Sequence, residues 1–160
     1  MANRQMSSKG ARTIAFTTRA EAKTLAADVF GVSRIEAEPQ AVQKIVLQGL
    51  KLSKFKKVER LFGLSQVEMA QILQVHPRTL SRKATSRQPL SPEASDNAAR
   101  VVRAFDRTVE VLGDRERALR WLGTPNDALG GELPRSWLAT DAGTTEVLRV
   151  LGRLEHGVFS

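Results

Sequence analysis

Cysteine and tyrosine are absent from these 160 residues, and histidine occurs only twice, at His76 and His156. Without cysteine there are no disulfides and no thiolate metal sites, a composition that fits the reducing cytosol. So few nucleophiles and general bases leave no catalytic constellation, and neither a catalytic residue, a metal ligand nor a bound cofactor is expected. Long hydrophobic runs are missing as well, none approaching the roughly 20 residues that span a bilayer. Met1 to Arg19 is polar and basic, with no apolar stretch of the kind a signal peptide requires. These absences point away from enzymes and membrane proteins, and toward a cytoplasmic binding protein.

What is present is positive charge, unevenly spread. Residues 1–90 hold 16 Lys/Arg against 6 Asp/Glu, whereas residues 91–160 hold 9 against 11. Such asymmetry suggests that the first part meets a polyanion, although a solvated basic face would produce the same numbers. Apolar residues make up 41% of the chain, enough to bury a core.

The apolar spacing is helical throughout. Met1 to Thr13 has no apolar period and reads as disordered. Thr18 to Phe30 predicts an amphipathic helix stopped by Gly31. Pro39 opens a helix carrying Val42, Ile45 and Val46 that ends near Gly49. Ser53 is the expected cap of a helix with Phe55, Val58, Leu61 and Phe62 inward, Lys54, Lys56, Lys57 and Arg60 outward, and Gly63 at its end. Ser91-Pro92 starts a helix with Ala94, Ala98, Val101, Val102, Phe105, Val109 and Leu112 on one stripe. Asp114 caps a short helix through Trp121 and Leu122, Thr124 to Pro134 is a loop, and Pro134 opens a turn holding Trp137 and Leu138. A last helix from about Asp141 carries Val147, Leu148, Leu151 and Leu154 and ends at Gly157. No strand pattern is convincing, and the chain reads as all-α.

Ser65-Gln66-Val67-Glu68 has the spacing of a capping box, in which the Ser65 hydroxyl and the Glu68 carboxylate each accept the other's backbone amide. Val67, Met69, Ala70, Ile72 and Leu73 then form a short helix, Val75 fills a corner, and Leu80 lies inward on a second helix with Pro77 in its first turn. This spacing resembles the Cro/repressor type of helix-turn-helix. It departs at Gln74, where glycine is usual, and at Lys83, where an apolar residue is common; Gln74 is therefore expected in an unusual turn conformation. Arg78, Thr79, Ser81, Arg82 and Lys83 occupy the faces not used by Leu80 and Ala84. Arginine can bond a guanine edge in two places, which makes Arg78 and Arg82 the candidates for base contact. Gln66 at the preceding helix start, with Lys83 and Arg87, is a candidate for phosphate. The competing reading is an ordinary helical hairpin with a basic exterior, against which the charge localisation argues independently. His76 at the turn is a further candidate phosphate contact. Trp121 and Trp137 sit among apolar residues and read as core, Asp127 and Glu132 lack a basic or metal partner, and Gly130-Gly131 follows no strand and so is no phosphate loop.

Arg120-Trp121-Leu122-Gly123-Thr124-Pro125-Asn126-Asp127-Ala128-Leu129-Gly130-Gly131-Glu132-Leu133-Pro134 and the ending Leu151-Gly152-Arg153-Leu154-Glu155-His156-Gly157-Val158-Phe159-Ser160 are distinctive. Together they resemble the toxin-binding domain of the Xre/MbcA/ParS antitoxins. Pro77-Arg78-Thr79-Leu80-Ser81-Arg82-Lys83 and Leu90-Ser91-Pro92-Glu93 resemble the Xre-like DNA-binding domain of the same family. The resemblance runs from about residue 45 onward and implies three segments: 1–44, partly disordered and then helical; 45–105, a helix-turn-helix domain; and 106–160, a small helical toxin-binding domain. It implies an antitoxin whose partner is a RES-domain toxin that consumes NAD. In that family the C-terminal region blocks the toxin's NAD pocket, and the DNA-binding domain represses the shared operon. The expected partners are thus the toxin, operator double-stranded DNA and a second copy of the chain, since single helix-turn-helix units usually bind paired half-sites. Val158-Phe159-Ser160 beyond Gly157 would be the short tip entering the pocket, with Arg149, Arg153, Glu155 and His156 beside it. By spacing alone Arg149 and Arg153 describe a solvated face with weak i,i+3 or i,i+4 pairs, and His156 a residue favouring the negative end of a helix. The alternative function is a stand-alone helix-turn-helix repressor with a helical oligomerisation or ligand-sensing domain.

Overall fold

Prolines at 39, 77, 92 and 134 each occupy the first turn of a helix, where the missing amide donor costs little. The structure, a computed structural model, describes residues 24–157. Its described helices are α1 (Leu25–Val29), α2 (Pro39–Gln48), α3 (Leu52–Phe62), α4 (Gln66–Leu73), α5 (Pro77–Ser86), α6 (Pro92–Leu112), α7 (Arg115–Leu122), α8 (Pro134–Trp137) and α9 (Asp141–Glu155). No strand occurs among the described residues, and the all-α expectation holds. The expected disorder of Met1 to Thr13 and the Val158-Phe159-Ser160 tip lie outside the described residues, and the helix expected from Thr18 to Phe30 is corrected to Leu25–Val29, because Thr24 is extended and caps it by accepting the Ala27 amide. No helix among those described is long and apolar enough to cross a membrane.

α6 is the hub, packed by α1, α2, α4, α7 and α9. A helix covered on so many sides needs more than one apolar stripe. Ala98, Ala99 and Ala104 are buried beside Val101, Val102 and Phe105, and their small side chains let neighbouring helices approach. The expected stripe is therefore corrected at its end: Val109 and Leu112 are only half-buried, and Thr108 is enclosed instead, its hydroxyl donating to the Ala104 carbonyl at 2.7 Å. Asp106, on the polar side by sequence, accepts the Leu25 and Ala26 amides at 2.8 and 2.9 Å and so fastens the start of α1. Burial pushes its carboxyl upward, and these two amides oppose that shift. Asp28 of α1 pairs in turn with Lys57 and Arg115. The expected divisions at 44/45 and 105/106 fall inside α2 and α6, and a single hydrophobic core runs from Leu25 to Leu151.

Two local expectations are overturned. Ser53 does not cap α3, which begins at Leu52 behind Lys51 with no side-chain cap. The chain just before it is pinned in place, because the Leu50 amide donates to Ser95 Oγ at 2.8 Å and the Leu50 carbonyl accepts from Leu90 at 2.9 Å. Gly49, at φ +86, allows this, since a Cβ there would lie 2.3 Å from the Leu90 carbonyl oxygen. The Thr124 to Pro134 stretch is also more than a loop. It holds a 3-10 turn at Asp127–Leu129 and a bridge from Asn126 to Glu132, with the Asn126 side chain accepting the Ala128 amide and Leu129 plugged into the core. α9 then crosses close to α8 because Gly143 carries no Cβ, which would stand 2.1 Å from the Trp137 carbonyl oxygen.

Candidate nucleic-acid interface and partner surface

The capping box forms as its spacing predicts. Ser65 Oγ accepts the Glu68 amide at 3.2 Å, and the Ser65 amide donates to Glu68 Oε2 at 2.8 Å. Bonding from the Ser65 amide and hydroxyl, with a smaller attraction from Arg135, holds the Glu68 carboxyl below the ordinary glutamate range. Gln66, first in α4, is exposed beside Val67, an exposed apolar residue. α4 ends on Gln74 in the left-handed region at φ 53, the unusual turn conformation expected of it. His76 is the N-cap of α5, its Nδ1 accepting the Arg78 amide at 3.2 Å, so an edge of the ring read as a phosphate contact is used within the turn.

α5 rests on α4 and α3 through Leu80, and its other faces are open. Arg78, Ser81 and Arg82 are exposed, Thr79 is half-buried, and Arg87 follows the helix as its left-handed C-cap. Ala84 is corrected: it is exposed, because no helix covers α5 beyond Leu80. Lys83 takes the place of the usual apolar residue by burying part of its stem and donating from its ammonium to the Pro89 carbonyl at 2.5 Å. Its charge is thus partly engaged within the chain, unlike that of Arg78 and Arg82.

The cations fall into two classes. Lys44, Lys51, Lys54, Lys56, Arg60, Arg78, Arg82 and Arg87 are exposed and have no ion-pair or side-chain hydrogen-bond partner among the described residues. Lys54, Lys56 and Arg60 lie on α3, which packs against α5, and are exposed cations outside the recognition residues expected from sequence. The signal was available: between residues 44 and 87 the only acids are Glu59 and Glu68. From residue 103 onward every arginine meets a carboxylate: Arg103 with Glu36, Arg107 with Glu110 and Glu155, Arg115 with Asp28, Arg117 with Asp114, Arg120 with Glu116, Arg135 with Glu68, and both Arg149 and Arg153 with Glu146.

The expected partner residues sit on the last turns of α9. Arg149 reaches Glu146 at 2.5 Å and Arg153 reaches the same carboxylate at 3.5 Å, while Glu155 is drawn back to Arg107 of α6. His156 is the exposed C-cap and Gly157 turns the chain at φ +66. A shallow open groove, unforeseen from sequence, lies farther up α9, lined by Leu129, Gly130, Trp137, Thr140, Gly143 and Glu146. Trp121 and Trp137 are half-buried against the core, as their neighbours suggest.

Residues 107–157 match the antitoxin Xre/MbcA/ParS C-terminal toxin-binding domain, and residues 41–103 match the antitoxin Xre-like helix-turn-helix domain. An antitoxin Xre of Yersinia enterocolitica is 38% identical over 99 residues, covering 61% of this chain and 67% of its own length. An antitoxin Xre of Photorhabdus laumondii is 29% identical over 117 residues, or 72% and 79% of the two chains. A Prs ADP-ribosylating antitoxin of a Sphingobium species is 30% identical over 125 residues, again 72% and 79%. With a helix-turn-helix domain followed by a toxin-binding domain on one continuous core, the chain belongs to the Xre/MbcA/ParS antitoxin family.

Proposed function

We propose that this antitoxin neutralises a RES-domain, NAD-consuming toxin by occluding its NAD pocket with the C-terminal region, and that it binds operator DNA to repress its own operon. The observation that supports both halves is the segregation of charge. Cations without partners among the described residues lie on α5 and on α3, which packs against it, where a polyanion would complete them, whereas every arginine from residue 103 onward already meets a carboxylate. In this reading Arg78 and Arg82 contact bases, while Gln66, Thr79, Ser81, Lys83 and Arg87 contact the backbone. A dimer of the chain would place two α5 helices on paired half-sites.

On the toxin side, α9 ends at Glu155 and Gly157 has a left-handed backbone at φ +66. Val158, Phe159 and Ser160 then reach the toxin pocket, flanked by Arg149, Arg153, Glu155 and His156. The name of the Sphingobium relative places ADP-ribosyl chemistry beside an antitoxin of similar sequence, which favours a toxin acting on NAD. The test is co-expression with the adjacent reading frame, with growth and cellular NAD as readouts. Removal of residues 158–160 is expected to abolish protection and leave operator binding intact; full protection by the shortened chain overturns pocket occlusion.

A further inference from the structure

Both ends of α4 are held by the C-terminal half. At its start, Arg135 pairs with the capping-box Glu68 and donates to the Phe62 carbonyl at 3.2 Å. At its end a closed polar ring forms. Asn97 Nδ2 donates to the Leu73 carbonyl at 3.1 Å, and Arg100 Nη1 donates to Asn97 Oδ1 at 2.9 Å. Arg100 Nη2 donates to the Ala139 carbonyl at 3.3 Å, and Gln74 Nε2 donates to that same oxygen at 3.2 Å. Leu73 and Gln74 are neighbours in the chain, which completes the ring.

The residue that departs from the usual glycine is therefore the one that reaches across to the α8–α9 corner. Its backbone stays in a conformation that disfavours side chains, and its amide group spans from the helix-turn-helix to Ala139. α5 leaves this turn after only Val75 and His76 and packs chiefly on α4 and α3, so the turn directs it. Arg82 lies five residues along, about 7.5 Å from the helix start at ~1.5 Å per residue, and a tilt of about 10° moves its base by ~1 Å. A bidentate contact does not survive such a displacement. Arg100 Nε is buried without a hydrogen-bond partner, so the ring is already under-satisfied and sensitive to loss of a member.

We propose that Gln74 is a positioning residue for operator recognition: through the Ala139 carbonyl, the C-terminal half sets the departure of the recognition helix without touching DNA. The proposal rests on the reading of α5 as that helix. Gln74→Gly tests it, because glycine keeps the left-handed turn and removes only the tether. The probe is a duplex from the region upstream of the chain's own reading frame, measured against a scrambled duplex of the same length over a salt series.

The expected result is an unchanged or raised Tm and about a threefold to tenfold loss of operator affinity, the worth of one net hydrogen bond. Binding to the scrambled duplex and the salt slope should not change. Arg100→Ala should weaken operator binding in the same direction, and the double variant should lose less than the product of the two single effects, since both donors serve one oxygen. Operator affinity of Gln74→Gly within twofold of the parent overturns the proposal. So does an equal loss of affinity for the scrambled duplex, which would make Gln74 itself a sequence-independent backbone contact. If the parent chain does not prefer the upstream duplex over the scrambled one, the reading of α5 fails and the proposal falls with it.

Discussion

Arg82 on α5 and Arg149 on α9 are the same residue type, exposed on the same kind of helix surface, and they are placed in opposite circumstances. Arg82 has no ion-pair partner among the described residues, and neither have Arg78, Arg87 or Lys54, Lys56 and Arg60 of α3. Arg149 shares Glu146 with Arg153. The difference teaches that net charge is a poor guide to a surface and that the pairing of each charge is a better one. A lone exposed cation forfeits only hydration and side-chain freedom when it meets phosphate, whereas a paired one must also break its bond. That asymmetry favours counterion exchange with nucleic acid on one half of the molecule and discourages it on the other.

The sharpest way to break the comparison is Arg82→Ala, which should weaken operator binding by about 1–3 kcal/mol in a band-shift or fluorescence titration at fixed salt. No change would misassign the recognition helix. Removing Lys54 and Arg60 together should act differently, lowering affinity for every sequence alike and reducing the slope of log K against log salt by about 1.8 for two phosphate contacts. A sequence-dependent effect there would mean that α3 reads bases. Arg149→Ala should shift folding stability by less than about 0.5 kcal/mol, because exposed pairs contribute little. It should leave operator binding unchanged and reduce the affinity for toxin in a pull-down.

The smallest expected effect concerns Glu68, one of the two acids in the basic region, which serves the α4 cap and Arg135. Its folded carboxyl lies below the ordinary range, so ionised Glu68 stabilises the fold at pH above that range. This contribution is lost as pH falls through the lowered value. Glu68→Gln should therefore flatten the acid limb of the stability curve slightly while leaving its neutral and basic limbs parallel to the parent. An unchanged acid limb would show that the cap works without the charge.

Much of the site was readable because its determinants are local. Ser65 and Glu68 are three residues apart, Pro77 belongs at a helix start, and Leu80 is the apolar residue of a polar helix. Each follows from chemistry within one turn of the chain. The strain at Gln74 was foreseen for the same reason. What escaped notice depends on distant partners. Lys51 rather than Ser53 precedes α3 because Leu90 and Ser95 hold Leu50. Thr108 is enclosed beside a half-buried Val109 because α6 is surrounded rather than laid on a surface. Ala84 is exposed because nothing packs beyond Leu80. The groove beside Trp137 exists because Gly143 lets α9 approach α8, a contact between elements with no shared periodicity.

The amino-acid sequence by itself determined that the chain is helical, where its caps and prolines start the turns, and which half is basic, since these depend on residue type and short spacing. Only the tertiary structure decided which cations remain unpartnered, which acids are already used, and that the Gln74 side chain meets the Ala139 carbonyl. Hydrogen bonds and ion pairs act over a few ångströms, and residues 65 positions apart come within that distance only after the core has formed.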